Sequence, residues 1–251
     1  MTVDQLTTFL HRRFGQLAGG YPEATRWLAR RLTTDQFNGL PLTGLIGLLL
    51  LTGMILSEVA ENIVNAEPMV QVDAQFTHWL FQGRTSKLSQ LFYGITWFGS
   101  FYMTIGVTLI GSGVLLWYRQ RRHAVILWLM LGGVSLLVQI CKRTLHRPRP
   151  HRVAYYPETG FSFPSGHSAT ALILYGLLAY WLIRRFRTTT GRVMVGAGAV
   201  SLILAVGFSR IYLGVHFLSD VLGGYLLGIG WLIVGIVLTE WQRTRYPSDT
   251  L

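Results

Sequence analysis

Hydrophobic residues fall in long, uninterrupted runs along this chain. Five stretches contain no Asp, Glu, Lys or Arg: Phe37–Ser57, Leu88–Tyr118, Ala124–Cys141, Val193–Ser209 and Val221–Thr239. A sixth, Pro164–Ile183, carries one histidine near its start and none of those four residue types. Because a helix needs about 20 residues to cross the hydrocarbon core of a bilayer, the pattern predicts six transmembrane helices. The predicted fold class is therefore all-α, a polytopic membrane protein with its six spans in residues 40–241.

The composition favours the same interpretation. Of 251 residues, 51% are hydrophobic and only 13% are charged, and the mean hydropathy is +0.40. Soluble domains usually carry about twice that charged fraction. A soluble domain is therefore the weaker interpretation.

Residues 1–39 form a separate predicted segment. Apolar side chains such as Phe9, Phe14 and Trp27 alternate there with Arg12 and Arg30, which is typical of amphipathic helix on a membrane surface. A solvated basic tail is the alternative. Acidic residues interrupt the segment and no apolar core precedes residue 40, so it does not resemble a secretory signal.

Two shorter segments flank or interrupt the spans. Residues 70–91 contain Phe76, Trp79 and Phe81 and are predicted to form an interfacial helix between the first two spans. Residues 242–251 are predicted to be a short cytoplasmic tail.

Lys and Arg residues outside the spans predict the orientation. With six spans, 14 of the 22 lie on the side of both termini and 8 on the other side. Since Lys and Arg in short loops are retained in the cytoplasm, both termini are predicted to be cytoplasmic, in a bacterial-type inner membrane. Topology accounts for most of the net charge of +11, so that charge does not indicate a nucleic-acid partner.

One outward loop departs from this charge rule. It holds five cations within 11 residues: Lys142, Arg143, Arg147, Arg149 and Arg152. Their charges repel one another unless an anion is bound, and the forked guanidinium and the ammonium group both suit phosphate oxygens. Attraction to anionic lipid head groups is the alternative.

The stretch Pro164–His167, with the sequence PSGH, resembles the start of a helix. Backbone N–H groups at a helix start favour anions, and the Ser165 hydroxyl can donate a further hydrogen bond. His167 could protonate a leaving group. A histidine hydrogen-bonded to interfacial water is the alternative.

A third cluster joins the fifth and sixth spans. His216 and Asp220 are four residues apart, so they share a face if the sixth helix has begun by His216. An aspartate that holds one ring nitrogen as N–H leaves the other nitrogen free to attack, and Arg210 adds a donor for phosphate. A structural hydrogen bond is the alternative. Because consecutive spans alternate in direction, all three clusters face one compartment, which predicts a single pocket on the outer face.

Together these residues resemble the signature of the type 2 phosphatidic acid phosphatase family. That signature, K-x6-R-P, P-S-G-H and S-R-x5-H-x3-D, matches Lys142–Pro150, Pro164–His167 and Ser209–Asp220 with its spacing intact. Three ordered motifs are far more specific than any one of them.

The resemblance implies roles for the matching residues. His216 would attack phosphorus and become phosphorylated, Asp220 would orient it, and His167 would protonate the leaving oxygen. The remaining signature residues would hold the phosphate: Lys142, Arg149, Ser165, Gly166 and Arg210.

The implied protein is an enzyme, a hydrolase of lipid phosphates or lipid diphosphates that uses no cofactor and no metal. Its implied partners are the lipid substrate and the bilayer, while protein partners are not predicted. Phosphatidic acid, phosphatidylglycerol phosphate, undecaprenyl diphosphate and lipid A phosphates all suit the pocket, and Arg143, Arg147 and Arg152 mildly favour a diphosphate.

Three alternatives remain at this stage. A phosphotransferase of the same fold would replace water by another hydroxyl as acceptor. An anion or lipid transporter could also use a basic pocket, and would carry ionisable residues near mid-membrane. A zinc site could be built from four histidines: His146, His151, His167 and His216.

Overall fold

The computed structural model describes residues 1–65 and 68–246. Within these ranges the chain forms helices and no strand, which confirms the all-α prediction. The α-helices are α1 (Val3–Arg13), α2 (Gly15–Gly20), α3 (Pro22–Leu32), α4 (Leu40–Val64), α5 (Pro68–Gln82), α6 (Ser86–Thr96), α7 (Phe101–Trp117), α8 (Arg121–Leu145), α9 (Gly166–Ile183), α10 (Thr189–Tyr212) and α11 (Leu218–Arg245). Residues 247–251 of the predicted tail lie outside the described residues.

Residues 1–51 form the first of two compact units. In it, α1 and α3 pack around Leu6, Leu10 and Ala29. The large side chains of Phe9 and Trp27 remain exposed. Both helices therefore keep apolar side chains on their outer surface, as an amphipathic membrane-surface segment would.

Five helices in the described ranges are long and apolar enough to cross a membrane: α4, α8, α9, α10 and α11. A sixth candidate crossing is the bent pair made by α6, extended by a 3-10 turn at Trp97–Gly99, and α7, with an angle of 48° between its two parts. The predicted span over Leu88–Tyr118 is therefore broken. The break falls at Ser100, whose hydroxyl accepts the N–H of Met103 and caps α7.

The predicted interfacial helix over 70–91 is also two helices. Helix α5 ends at Gln82, and the Thr85 hydroxyl caps the start of α6. Leu80 on α5 belongs to a buried cluster with Tyr212 and Val221. Helix α5 is thereby held against the adjoining ends of α10 and α11.

The second unit, residues 52–251, has its main core between α8, α9 and α11. A Cβ atom on Gly224 would lie 2.6 Å from the carbonyl oxygen of Ser165, so a glycine is needed for α11 to approach the start of α9 this closely. The Ser165 N–H donates to the carbonyl oxygen of Asp220 at 2.9 Å. This contact brings the second and third sequence clusters together.

Candidate active site

The three clusters found in the sequence meet at one end of the second unit. Lys142 lies in the last turn of α8, His167 in the first turn of α9, and Arg210 in the last turn of α10. The loop after α8 supplies Arg149, and the turn before α11 supplies His216. The side chains come from three helix ends and two connections, as the alternation of spans predicts.

The His216 ring lies between a carboxylate, that of Asp220, and a guanidinium, that of Arg149. Its Nδ1 lies 3.4 Å from Oδ2 of Asp220, and its Nε2 lies 3.2 Å from Nη1 of Arg149. Since a guanidinium can only donate, Nε2 accepts and the ring proton lies on Nδ1. Burial, together with the positive charges of Arg210 and Arg149, lowers the pKa of His216 well below its ordinary value. The imidazole is therefore neutral, with its Nε2 lone pair directed at the arginine.

The contact between His216 and Asp220 forms without the shared helix that the spacing suggested. Helix α11 begins at Leu218, so His216 lies in the preceding turn and that premise is wrong. Oδ2 of Asp220 accepts the backbone N–H of Phe217 at 2.8 Å, which turns the carboxylate toward the imidazole. Gly214, at φ +69°, allows the tight turn that leads into this arrangement.

The two arginines predicted to hold phosphate share a carboxylate, that of Glu158. Nη2 of Arg149 lies 3.2 Å from Oε1 of Glu158, and Nη2 of Arg210 donates to Oε2. Burial opposes the charged form of this carboxyl, but its interactions with the surrounding cations, that of Arg210 above all, outweigh burial and hold the pKa of Glu158 below its ordinary value. Glu158 is therefore an anion bound where a phosphate is expected.

Arg210 is completely buried beside the bend of the second crossing. Its Nη1 donates to the hydroxyl of Thr96 at 2.9 Å and to that of Tyr156. Thr96 is the last residue of α6, so the end of that helix gives the buried Arg210 a polar partner in addition to Tyr156 and Glu158. Burial raises the pKa of the Tyr156 hydroxyl, which keeps it neutral in this contact.

Lys142 and His167 complete the ring of charged and titratable groups. Lys142 is partly buried and interacts electrostatically with Arg149 and Glu158. His167 interacts electrostatically with Arg210, with His216 and with Lys142. These interactions bring both residues into the same pocket as the His216 ring.

Ser165 and Gly166 form the start of α9. The Ser165 side chain is wholly buried, and its oxygen accepts from the N–H and the hydroxyl of Ser168 at 3.5 and 3.0 Å. It is thus the N-cap of the helix, and its own O–H remains a donor. Gly166 is the first residue of α9 and lines a cavity beside His167.

Arg147 is not one of the cations open to substrate. Its side chain is 5% exposed, with Nη1 2.6 Å from Oδ1 of Asp220 and Nη2 2.6 Å from Oδ2 of Asp73. The expectation that it adds charge for a diphosphate is therefore wrong, whereas Arg143 and Arg152 are exposed. The sequence patterns had not marked Asp73, because it lies outside all three motifs.

The four histidines proposed as zinc ligands do not come together. In the part of the chain that the structure describes, no three His, Cys, Asp or Glu side chains are placed to hold a metal ion. The ring of His146 packs edge-on against Phe161 at 4.6 Å, and His151 is exposed.

An apolar cavity of about 500 Å³ lies next to His167, between α7, α8 and α9. Its wall includes Phe101, Ile105, Trp128 and Leu131. The backbone of Gly99, in the wall of this cavity, lies very close to the histidine, since a Cβ on Gly99 would lie 3.2 Å from Cδ2 of His167. Gly166 and His167 are therefore shared between the predicted site and this cavity.

Fold and site together define an integral membrane protein with a buried His–Asp pair and an arginine-rich anion pocket. A family model described as the PAP2 superfamily matches residues 123–244. Phosphatidylglycerophosphatase B of Bacillus subtilis strain 168 is 37% identical over 151 residues, which cover 58% of this chain and 72% of the relative. An undecaprenyl-diphosphatase of Sulfolobus acidocaldarius is 26% identical over 197 residues, covering 74% and 86%.

A solved structure has the same fold. The crystal structure of a transmembrane PAP2 type phosphatidylglycerolphosphate phosphatase from Bacillus subtilis superposes with a TM-score of 0.69 at 29% identity, over 78% of this chain and 96% of that one. The chain belongs to the PAP2 superfamily. The resemblance inferred from the motifs is confirmed, as is the enzyme class, a phosphatase. The transporter alternative gains no support from these relatives.

Proposed function

We propose that this protein is an integral membrane phosphatase that hydrolyses a lipid phosphate or lipid diphosphate through a phosphohistidine formed at His216. The observation that carries the proposal is the apolar cavity of about 500 Å³ whose wall includes Gly166 and His167, two residues of the predicted site. A phosphate held by Arg149 and Arg210 would leave its lipid portion in that cavity.

In the first step, Nε2 of His216 attacks phosphorus, and the bond from phosphorus to the lipid oxygen breaks. His167 donates a proton to the departing oxygen, so that the lipid leaves as an alcohol or as a lipid monophosphate. Asp220 accepts the Nδ1–H of His216 and stabilises the positive ring of the phosphohistidine. Fixed cations balance the charge on the phosphoryl oxygens.

In the second step, water attacks the phosphohistidine. His167, which has lost its proton, takes one from this water, the bond between nitrogen and phosphorus breaks, and inorganic phosphate departs. The donors that hold the phosphoryl oxygens throughout are Lys142, Arg149, Arg210, the Ser165 hydroxyl and the N–H of Gly166.

The charge distribution and the relatives guide the choice of substrate. Phosphatidylglycerol phosphate and undecaprenyl diphosphate are the first candidates, because the two relatives described above are named for them. Phosphatidic acid and lipid A phosphates present the same terminal group. Arg143 and Arg152 are the exposed cations near the pocket that could favour a diphosphate.

The distribution of Lys and Arg supports a multi-pass protein of a bacterial-type inner membrane, with both termini in the cytoplasm. The pocket would then open on the outer face, where it would meet lipids of the outer leaflet.

The test is release of inorganic phosphate by the purified, detergent-solubilised protein from a panel of these lipids. We expect release from at least one lipid, with a ³²P-labelled His216 trapped by rapid acid-free denaturation. A second lipid or alcohol added as acceptor separates hydrolysis from transfer, since a phosphotransferase would move the label to the acceptor. No release and no transfer with any lipid of the panel would contradict the proposal.

A further inference from the structure

We infer that Asp73 and Arg147 are positioning residues for His216 and act on it through Asp220. The inference rests on the proposed function. The three charged side chains form a continuous buried chain, with Asp73 at 2%, Arg147 at 5% and Asp220 at 0% exposure. Asp73 and Arg147 are not among the residues that line the cavity.

A single guanidinium joins the two carboxylates. Nη1 of Arg147 donates to Oδ1 of Asp220 at 2.6 Å and to the Ser219 hydroxyl at 2.7 Å, while Nη2 donates to Oδ2 of Asp73 at 2.6 Å. The two arms of the fork point to different partners at the same time. An ammonium group of similar reach is a point charge and cannot reproduce this planar geometry. The ring of Phe217, centred 4.5 Å from the guanidinium carbon, covers its face.

The Arg147 guanidinium fixes the orientation of the Asp220 carboxylate relative to the imidazole of His216. Oδ1 is bound to Arg147, and Oδ2 takes the Phe217 N–H at 2.8 Å and faces Nδ1 of His216 at 3.4 Å. A rotation of the carboxylate would break the short bond to Arg147. Arg147 therefore holds Oδ2 in the orientation that keeps the His216 proton on Nδ1 and the lone pair on Nε2.

Asp73 holds the other end of the fork and anchors it to α5. It also accepts the backbone N–H of Ser219 at 3.0 Å and the Ser219 hydroxyl, at the start of α11. With two carboxylates and one guanidinium, the group carries a net negative charge next to His216. That charge favours the positive ring formed on phosphorylation, and loss of Asp73 would leave Arg147 to neutralise Asp220 alone.

The experiment measures kcat and KM of full-length Arg147→Lys and Asp73→Asn, each in the wild-type and in the Asp220→Asn background. Arg147→Lys is expected to lower kcat by about 10- to 100-fold and Asp73→Asn by about 3- to 10-fold, with KM changed less than about twofold. In the Asp220→Asn background, most of each effect should disappear, because both residues act through that carboxylate. Arg187→Lys, an exposed arginine on another loop, is the matched control and should behave as wild type.

Provided that the wild-type protein releases phosphate, either of two results would overturn the inference. One is a folded Arg147→Lys protein with the kcat of wild type. The other is an effect of equal size in both backgrounds, which a purely structural ion pair would produce. If Arg147→Lys fails to fold, Asp73→Asn, which removes a charge at constant size, decides the same question. Absence of phosphate release by the wild-type protein would instead overturn the proposed function, and the inference with it.

Discussion

Nη1 of Arg149 lies 3.2 Å from Nε2 of His216, so a predicted phosphate ligand contacts the predicted attacking atom directly. The same guanidinium is bound to Glu158. On the proposed function, a phosphoryl group that enters the pocket would take over both contacts: its oxygens would bind Arg149, and the lone pair of Nε2 would be freed to face phosphorus. The atom proposed to attack is thus engaged in a hydrogen bond with Arg149 in the substrate-free protein.

The pH dependence of kcat/KM follows from the neutral state of His216. Only the neutral imidazole can attack, and burial with Arg210 and Arg149 lowers the pKa of His216 well below its ordinary value. Activity should therefore persist as the pH falls through about 6.5, the ordinary histidine value, and decline only below it. Arg149→Met removes one of these charges and should move the acid limb to higher pH. An acid limb of the wild type at or above that value would contradict the assignment.

Substitution of the two histidines should nearly abolish phosphate release. His216→Ala removes the attacking atom and is expected to cost about 10⁴-fold or more in kcat, and His167→Ala about 10²- to 10⁴-fold. Asp220→Asn should be slowed less severely, because it disturbs orientation only. Circular dichroism and size-exclusion chromatography check that each variant is folded. Full activity in a folded His216→Ala protein would exclude it as the nucleophile.

Glu158 should compete with phosphate for the two arginines. In Glu158→Gln the charge is lost while the size is kept, so orthophosphate and orthovanadate should inhibit at about tenfold lower concentration. Inhibition curves measured with a short-chain lipid phosphate test this. Glu61→Gln, an exposed residue on α4, is the matched control. Unchanged inhibition constants in Glu158→Gln would show that the carboxylate does not occupy the anion site.

Gly99 should matter to catalysis through its closeness to His167. A Cβ at this position would lie 2.7 Å from Cγ1 of Val206 and 3.1 Å from Cβ of His167, so Gly99→Ala must displace one of them. A shift of His167 by a fraction of an ångström is expected to lower kcat by about tenfold. Gly106→Ala is the control on the same crossing, because nothing lies within 4 Å of that Cβ. Equal activity of the two variants would count against the packing argument.

Chelating agents should leave the reaction unchanged. On the proposed function, Lys142, Arg149 and Arg210 would supply the positive charge that metal ions provide in many other phosphoryl-transfer sites. Phosphate release measured with and without EDTA checks this, and it should be accompanied by a test of added Mg²⁺ and Zn²⁺. A loss of activity on chelation that is restored by one metal would contradict it.

The motifs allowed most of the site to be predicted, because their chemistry is tied to fixed spacings and to the alternation of spans. Lys142, His167, Arg210 and His216 come together as expected, although no continuous helix joins His216 to Asp220. Five of the six predicted spans correspond to single helices long and apolar enough to cross a bilayer, and the sixth corresponds to the bent pair of α6 and α7.

The partners of these residues could not be predicted, because they depend on tertiary packing. Glu158 follows Pro157 in an irregular loop, whose path the sequence pattern does not define. Asp73 lies on α5, and its contacts with Arg147 and Ser219 form only when this helix packs against the start of α11. The break at Ser100 was missed for a related reason: hydropathy measures the apolar length of a segment and is insensitive to a cap inside it. Arg147 was misassigned because a cluster of cations in sequence does not reveal which of them are already neutralised.

The cavity beside His167, whose wall includes residues at the bend between α6 and α7, has a consequence for the kinetics of the reaction. Since the cavity beside His167 lies among crossing helices, the substrate would reach it by diffusion within the leaflet. The concentration that sets the rate would then be the mole fraction of the substrate lipid in the membrane. Adding an inert lipid at a constant total amount of substrate would lower this mole fraction, and the rate would fall as if the substrate concentration had been reduced. On the proposed function, the bilayer would be the solvent of the lipid substrate, and water would enter the reaction as the second reactant.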